Sequence, residues 1–144
     1  MNPINRQSLY FSGPGEVEIR QEPIPDLMPG QVLVQTILSA ISPGSESLIY
    51  LDKFPKDLPL DESISVLSSR FAYPLKYGYS AVGKVIELGR DVDPNWMGRL
   101  VFAFNPHESH FSSRVEALHP LPPDISPEDA VFLPNMETAV NLVM

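Results

Sequence analysis

The sequence contains no cysteine among its 144 residues. Disulfides and thiolate metal sites are therefore excluded, and any metal would have to be held by histidines, carboxylates and water. Basic residues are also scarce, with 10 Lys and Arg against 18 Asp and Glu and a formal net charge of -8. Because a protein that binds nucleic acid through its phosphates needs the opposite balance, we expect no nucleic-acid partner.

Long hydrophobic runs are absent as well. No apolar stretch approaches the ~18 residues of a membrane helix, and the start, "MNPINRQSLYFSGPG", lacks the hydrophobic segment of a secretory signal. We therefore expect no membrane partner and predict a cytoplasmic protein. Hydrophobic residues make up 43% of the chain and charged residues 19%, which is the composition of one globular domain rather than of a disordered chain.

Proline is abundant, with 16 residues. Because proline removes a backbone donor and fixes φ, this abundance favours short strands joined by rigid turns over a helical bundle. Alternating segments around Gly13-Pro14-Gly15 predict a hairpin, and β-branched and apolar runs predict further strands. The predicted strands cover residues 7–12, 16–22, 31–42, 84–88 and 99–104, followed by two pieces within residues 110–117 and 118–122.

Helices are predicted at three places. Ser45 is a plausible N-cap for one or two turns, and residues 61–71 could form a short helix. Ser126, followed by a proline and two acidic residues, predicts the N-cap of a helical pattern that Pro134 divides into two helices. That pattern is still apolar at Met144, so we expect this chain to be the front part of a longer protein.

Two glycines stand out in "KYGYSAVGKVIELG", residues 76–89. Gly78 and Gly83 fall at the opening of a predicted strand, where glycine packs nothing and costs backbone entropy. Such glycines usually mark a bend, a bulge or a close approach by another group, so this segment is a candidate part of a functional site.

The order of these motifs resembles the N-terminal GroES-like domain of the medium-chain dehydrogenases/reductases, the superfamily of zinc alcohol dehydrogenases and quinone reductases. "GYSAVGKVIELGRDV" is similar to the family segment Gly-His-Glu-x-x-Gly-x-Val-x-x-x-Gly-x-x-Val, and "MGRLVFAF" resembles its Gly-Asp-Arg-Val strand. "LPPDISPEDAVFLPNMETAVNLV" resembles the family's crossover into a Rossmann domain. The pair "ISPGSE" and "YPLKYGYSAVGKV" looks most like the branch that includes bacteriochlorophyllide dehydrogenase, which suggests a bulky substrate.

The resemblance also shows which zinc ligands are missing. The positions of the family's histidine and glutamate hold Tyr79 and Ser80, and the position of its first zinc cysteine holds Pro43, or Ser42 if one residue is inserted. None of these is a usual zinc ligand. We therefore expect a zinc-independent mechanism and no bound metal.

The family pattern suggests roles for several residues, each with a plainer alternative. Ser45 matches the hydroxyl that relays the substrate proton, but it could simply cap a helix. Tyr79 could donate to a developing alkoxide, or could be a packed turn aromatic. Glu46 could orient the site or merely favour the first helical turn. Thr138 matches the threonine beside the nicotinamide, or is an ordinary helix residue.

The histidines of "NPHESHF" suggest a metal pair, but Pro106 and the following strand pattern predict that both lie in a loop. A place near the cofactor or substrate is the better interpretation, and zinc-dependent hydrolysis lacks both a third ligand and a suitable helix. The predicted site residues are, for catalysis, Ser45, Tyr79 and Glu46; for the cofactor, Pro43, Gly44 and Thr138; and for the substrate, Ser42, Ser80, His107 and His110.

We therefore predict a mainly β, partly open GroES-like barrel over residues 1–125, followed by the start of a helical crossover over residues 126–144. The implied function is the substrate-binding, catalytic part of an NAD(P)-dependent oxidoreductase, with NADPH preferred and a small-molecule substrate. No glycine-rich dinucleotide fingerprint is present, so a Rossmann domain outside this chain should bind most of the cofactor. A homodimer is compatible with this interpretation, and the alternative is a non-catalytic binding or assembly module.

Overall fold

The computed structural model describes residues 5–55, 57 and 71–144. These residues form seven strands, three α-helices and two short 3-10 helices, Pro94–Trp96 and Val115–Ala117. The strands are β1 (Asn5–Gly13), β2 (Glu16–Pro23), β3 (Gln31–Ser39), β4 (Ala81–Leu88), β5 (Leu100–Ala103), β6 (His110–Arg114) and β7 (His119–Pro120). The helices are α1 (Ser45–Tyr50), α2 (Pro127–Ala130) and α3 (Leu133–Val143). The helix predicted over residues 61–71 falls, apart from Phe71, outside the described residues.

The predicted N-terminal hairpin is confirmed. β1 and β2 pair antiparallel, with Phe11 opposite Val17. The turn between them contains Gly15 at a φ of +74°, a left-handed conformation that glycine adopts without strain. Backbone hydrogen bonds join the hairpin to the rest of the chain, since Leu9 N donates to the His107 carbonyl and Phe11 N donates to the Leu75 carbonyl, each at 2.9 Å.

A five-stranded antiparallel sheet in the order β6-β3-β4-β5-β7 forms the body of the fold. The interior strand β3, between β6 and β4, has three consecutive buried residues, Val32, Leu33 and Val34. Burial of neighbouring residues on both faces agrees with the β-branched density of this segment. The main core packs Val32 and Val34 against side chains from β4, β5 and β6 and from the residue before β7, which are Ala81, Val85, Val101, Ala103, Phe111 and Leu118.

Gly83 in β4 lies directly against β3. A Cβ added at Gly83 would be 2.5 Å from Val34 Cγ1 and 2.6 Å from the Gln35 carbonyl oxygen, closer than van der Waals contact allows. The pairing of β3 with β4 is irregular between Thr36 and Leu38, beside this contact. The glycine is thus explained by close approach of two strands, as its place in the sequence suggested.

The N-cap predicted at Ser45 is wrong. The cap of α1 is Gly44, and Ser45 is the first helical residue, with its side chain directed to Tyr79 rather than to a backbone N–H. The second N-cap prediction is confirmed, because Ser126 Oγ accepts a hydrogen bond from Asp129 N at 3.1 Å. The C-terminal pattern does form two helices, with Pro134 in the first turn of α3.

Several strand bounds differ from the predicted ones. β3 ends at Ser39 rather than residue 42, because its pairing with β4 ends at Ser39 and Ala81. His110 begins β6, where it pairs with Gln35, so the strand pattern predicted within residues 110–117 is confirmed and the loop predicted for this histidine is wrong. None of the helices in the described part of the chain has the length and apolar character needed to cross a membrane.

Candidate functional site

An open cleft of about 1310 Å³ lies beside the sheet and is bordered by α1 and α3. Aromatic side chains form much of its wall, and hydroxyl and amide groups supply most of its polar lining. The lining residues that matter most for its chemistry are Ser45, Tyr79, Phe104, Phe111, Arg114 and Thr138. The cleft therefore brings together three residues that the sequence analysis assigned to catalysis or to the cofactor.

Two hydroxyl groups face each other on the cleft wall. Ser45 begins α1, and Tyr79 lies two residues before β4. Ser45 Oγ and Tyr79 Oη are 3.5 Å apart, which is the long limit for a hydrogen bond. The Tyr79 ring is held by an edge-to-face contact with Tyr77, with 6.2 Å between ring centroids. Because their mutual contact is weak, both hydroxyls remain able to donate to a third oxygen placed between them.

A buried hydrogen-bond chain begins at Glu46, the residue after Ser45, and does not line the cleft. His107 Nε2 lies 2.5 Å from Glu46 Oε1, and His107 Nδ1 lies 2.7 Å from Ser39 Oγ. The second carboxylate oxygen of Glu46 accepts from Ser42 N at 2.5 Å. An imidazole that donates from Nε2 to the carboxylate leaves Nδ1 as the acceptor for the Ser39 hydroxyl. These contacts tie the end of β3, the start of α1 and the loop before β6 together.

Gly78 leaves space for the His107 imidazole of this hydrogen-bond chain. Its φ is +135°, and an added Cβ would lie 2.8 Å from His107 Nε2. A side chain at this position would be strained by its backbone conformation and would also displace the imidazole from Glu46. The two crowded glycines of the segment thus have different causes: Gly83 admits a neighbouring strand, and Gly78 admits a buried histidine.

A second polar cluster lies on the other side of the same loop, at Glu108. Lys76 Nζ lies 2.6 Å from both Glu22 Oε2 and Glu108 Oε1, and Ser8 Oγ donates to Glu22 at 2.8 Å. Burial alone would raise the pKa of Glu22, but hydrogen bonds from Lys76, Tyr10 and Ser8 outweigh it and lower that pKa from 4.5 to about 2. Burial alone would lower the pKa of Lys76, but the hydrogen bonds to Glu108 and Glu22 outweigh it and raise that pKa. This cluster joins the hairpin to the loop before β6.

The remaining predicted site residues have other contacts. Ser80 Oγ donates to the Val131 carbonyl at 2.6 Å in the interior, and Thr138 Oγ1 donates to the Pro134 carbonyl at 3.0 Å. His110 contacts Ser109 Oγ at 3.1 Å, and burial lowers the pKa of its imidazole. Four residues predicted to contact the substrate, Ser42, Ser80, His107 and His110, do not line the cleft. Their substrate contacts stay predictions.

Two features of the site were not found from the sequence. Ser39 gave no signal because it reads as an ordinary strand residue, and its partner His107 is 68 positions away. Arg114 was also missed, because an isolated basic residue at the end of a strand has no local pattern. Among the residues that the structure describes, no three His, Asp or Glu side chains are grouped so that they could hold a metal ion.

Comparison with known proteins identifies the fold. No protein family profile and no curated protein matches the sequence, but many solved structures are similar. One is the human synaptic vesicle membrane protein VAT-1 homolog-like protein, with a TM-score of 0.73 and 16% identity over 98% of this chain and 43% of that protein. Another is the short chain alcohol dehydrogenase of Escherichia coli CFT073 complexed with NADH, with a TM-score of 0.72 and 18% identity over 95% of this chain and 44% of that protein.

A third similar structure is the quinone oxidoreductase of Thermus thermophilus, which was also solved in complex with NADPH. Its TM-score is 0.61, with 21% identity over 89% of this chain and 36% of that protein. The chain thus spans less than half the length of the proteins that it resembles. At these identities the comparison shows architecture alone: the chain has the mainly β, GroES-like fold that occurs within medium-chain alcohol dehydrogenases and quinone oxidoreductases.

Proposed function

We propose that this chain is the substrate-binding, catalytic part of a zinc-independent, NAD(P)-dependent oxidoreductase that acts on a carbonyl, an alcohol or an activated alkene. The observation that carries the proposal is the facing pair of hydroxyls, Ser45 and Tyr79, on the wall of a large cleft. In a carbonyl reduction, the reacting oxygen gains negative charge and then a proton. Two donors aimed at one oxygen stabilise that charge, and either hydroxyl can pass the proton.

The buried hydrogen-bond chain of Glu46, His107 and Ser39 would position the Ser45 hydroxyl of this pair. Glu46 accepts hydrogen bonds from both His107 and the Ser42 backbone, so the first turn of α1 is held from two sides. Because Ser45 precedes Glu46 in that turn, its hydroxyl is held facing Tyr79. We therefore assign Glu46 a positioning role, since its carboxylate does not line the cleft.

The nicotinamide ring, which when bound would supply or accept the hydride, would lie in the cleft beside Thr138 and close to Pro43 and Gly44, which precede α1 outside the cleft lining. Thr138 donates its own proton to Pro134, so its oxygen remains free to accept from a carboxamide N–H. At Gly44, no atom of a described residue lies within 4 Å of the place where a Cβ would be, which would let a flat ring approach the backbone beside Pro43. NADPH is our preferred form of the cofactor.

The proposal includes a cofactor domain beyond residues 126–144. The chain has no glycine-rich phosphate-binding fingerprint, so these residues cannot hold a dinucleotide in the usual way. In addition, α3 exposes a row of large apolar side chains, Met136, Val140 and Val143, which a packed domain would cover.

The first test measures turnover in a polypeptide that carries this chain and its cofactor domain. NADPH and NADH oxidation would be followed by absorbance with a panel of quinones, aldehydes and ketones. We expect Ser45→Ala and Tyr79→Phe each to lower kcat about 100-fold with little change in KM for the cofactor, because each variant removes one of the two donors that stabilise the charge on the reacting oxygen. Ser47→Ala, in the same helix but outside the cleft lining, is the matched control and should keep wild-type kcat.

Two results would contradict different parts of the proposal. Wild-type turnover in both variants would mean that the hydroxyl pair is not the proton donor. If no member of the panel promotes oxidation of either cofactor, and neither cofactor binds, the oxidoreductase assignment fails, and the non-catalytic binding or assembly module becomes the better description.

A further inference from the structure

One polar side chain of the cleft wall is almost fully buried and held in a fixed orientation. Asn105 lies two residues after the end of β5, lines the cleft and is 8% exposed. Its Nδ2 donates to the Pro106 carbonyl at 2.9 Å and to Glu108 Oε2 at 3.1 Å. Glu108 is itself held by Lys76, whose Nζ lies 2.6 Å from Glu108 Oε1. The amide nitrogen of Asn105 is thus anchored to the polar cluster beside the hairpin.

The same contacts determine where the amide oxygen of Asn105 points. Both partners of Nδ2 are acceptor oxygens, so a flipped amide would place Oδ1 against the Pro106 carbonyl and the Glu108 carboxylate and be repelled by both. Oδ1 is therefore directed away from these two groups. No described residue donates a hydrogen bond to Oδ1, yet it is not among the unpaired atoms that the described residues seal from solvent. Because the cleft is the pocket that Asn105 lines, Oδ1 is an open acceptor on the cleft wall.

Asn105 borders the same part of the cleft as the hydroxyl pair. His107, two residues further along the chain, contacts Glu46 through its imidazole, and Glu46 directly follows Ser45. Two residues span at most about 7 Å. The amide of Asn105 and the hydroxyl pair are therefore connected through one short loop and one histidine.

Aromatic surface is available beside these polar groups. Three side chains of the cleft lining are aromatic and only partly buried, and they are Phe54, Tyr79 and Phe104. Phe104 directly precedes Asn105. Because flat apolar walls favour a ring system, the cleft offers surface for rings together with two hydroxyl donors and one fixed acceptor.

We propose that the cleft selects substrates that carry a neutral hydrogen-bond donor, such as a hydroxyl group, in addition to the group that reacts, and that Asn105 Oδ1 accepts from this donor. This inference rests on the proposed function, since the reacting group of the same molecule would lie at Ser45 and Tyr79. A molecule without the donor leaves a fixed, largely buried acceptor unsatisfied, and this loss creates the preference. Asn105 is thus a specificity-determining residue and takes no part in the chemical step.

The test is a binding measurement on the 144-residue chain at pH 7, with no cofactor and no turnover. The probes are 2-naphthol, which has a donor, and 2-methoxynaphthalene, which keeps the oxygen and lacks the proton. We expect the naphthol to bind about fivefold more tightly, the effect of one neutral hydrogen bond. Asn105→Ala should remove that preference while still binding the ether. Asn95→Ala is the control, because Asn95 is exposed outside the cleft lining, and it should keep the preference.

A second measurement uses the unaltered chain alone, so it does not depend on the folding of any variant. The side-chain carbonyl carbon of Asn105 is followed by nuclear magnetic resonance during both titrations. We expect its signal to move with the naphthol and much less with the ether, because the hydrogen bond forms at the attached oxygen. The corresponding signal of Asn95 should not move with either probe.

Four outcomes would overturn the proposal: no binding of either probe, equal binding of both probes to the unaltered chain, a preference that survives in Asn105→Ala, or an Asn105 signal that does not respond to the naphthol. These measurements need neither hydride transfer nor a second domain. Their failure is therefore distinct from a failure of the oxidoreductase assignment, which is judged by turnover.

Discussion

Replacing Gly83 with alanine is expected to cost about 3 kcal/mol of folding free energy, a large share of the roughly 5–15 kcal/mol that stabilises an ordinary domain. The added methyl group would lie 2.5 Å from Val34 Cγ1 and 2.6 Å from the Gln35 carbonyl oxygen. The backbone oxygen belongs to β3, an interior strand of the sheet, and cannot rotate away. The two strands must therefore separate, which weakens their hydrogen bonds and opens the main core.

Urea unfolding followed by far-ultraviolet circular dichroism would measure this loss. The control is Gly44→Ala, because Gly44 has an ordinary helical φ of -75° and, within the part of the chain that the structure describes, no atom lies within 4 Å of its added Cβ. We expect that variant to unfold within about 1 kcal/mol of the unaltered chain, since a glycine N-cap is only modestly better than alanine. Equal midpoints for Gly83→Ala and Gly44→Ala would contradict the close approach of β3 and β4.

The second large effect is expected for Lys76→Met. Lys76 lies between Glu22 and Glu108, and the Glu108 side chain is only 6% exposed. Removing the shared cation leaves two neighbouring carboxylates, one of them buried, with Arg6 as their remaining positive partner. Breaking a buried ion pair from one side costs about 3–5 kcal/mol, and we expect the lower end of that range because Lys76 itself is 20% exposed.

The loss in Lys76→Met should depend on pH in a defined direction. The pKa of Glu22 is about 2 in the folded protein and 4.5 ordinarily, so its stabilising contribution is complete above pH 4.5 and disappears as the pH falls towards 2. The raised pKa of Lys76 keeps the lysine charged throughout this range. The difference in stability between the variant and the unaltered chain should therefore be large at pH 7 and clearly smaller at pH 3.

Urea unfolding at these two pH values, monitored through Trp96 fluorescence, would test this dependence. Lys84→Met serves as the control, because Lys84 is an exposed cation on β4 and forms no ion pair with any other described residue. It should change stability little at either pH. A loss in Lys76→Met that is the same at pH 7 and pH 3 would show that the lysine acts through packing rather than through charge.

Much of the fold could be predicted from local patterns. The hairpin was predictable because alternating side chains flank a glycine-rich turn, and the C-terminal helices because Ser126 and Pro127 form a helix start. The family-like order of motifs predicted the GroES-like architecture. The error at Ser45 shows the limit of such reasoning: serine often caps helices, but here its hydroxyl is directed to Tyr79, and Gly44 takes the cap position.

The candidate site was only partly predictable, because its contacts join distant parts of the chain. Ser45 and Tyr79 were found through a family resemblance and do lie together on the cleft wall. His107 was also found, but as a residue in contact with the substrate. Its contacts with Ser39 and Glu46 span 68 and 61 positions, and no periodicity or spacing in the sequence records such a pairing.

The short connection between β5 and β6 limits how this protein could change over evolution. Two adjacent residues of this connection point in opposite directions. His107 contacts Glu46 at the start of α1, and Glu108 contacts Lys76 in the polar cluster beside the hairpin. Connections of this kind normally tolerate insertions and deletions. Here, one residue fewer before His107 would place the Glu108 carboxylate against Glu46, and one residue more would place the His107 imidazole against Lys76. We therefore expect the length of this connection to be preserved among descendants of this sequence even where its individual residues vary.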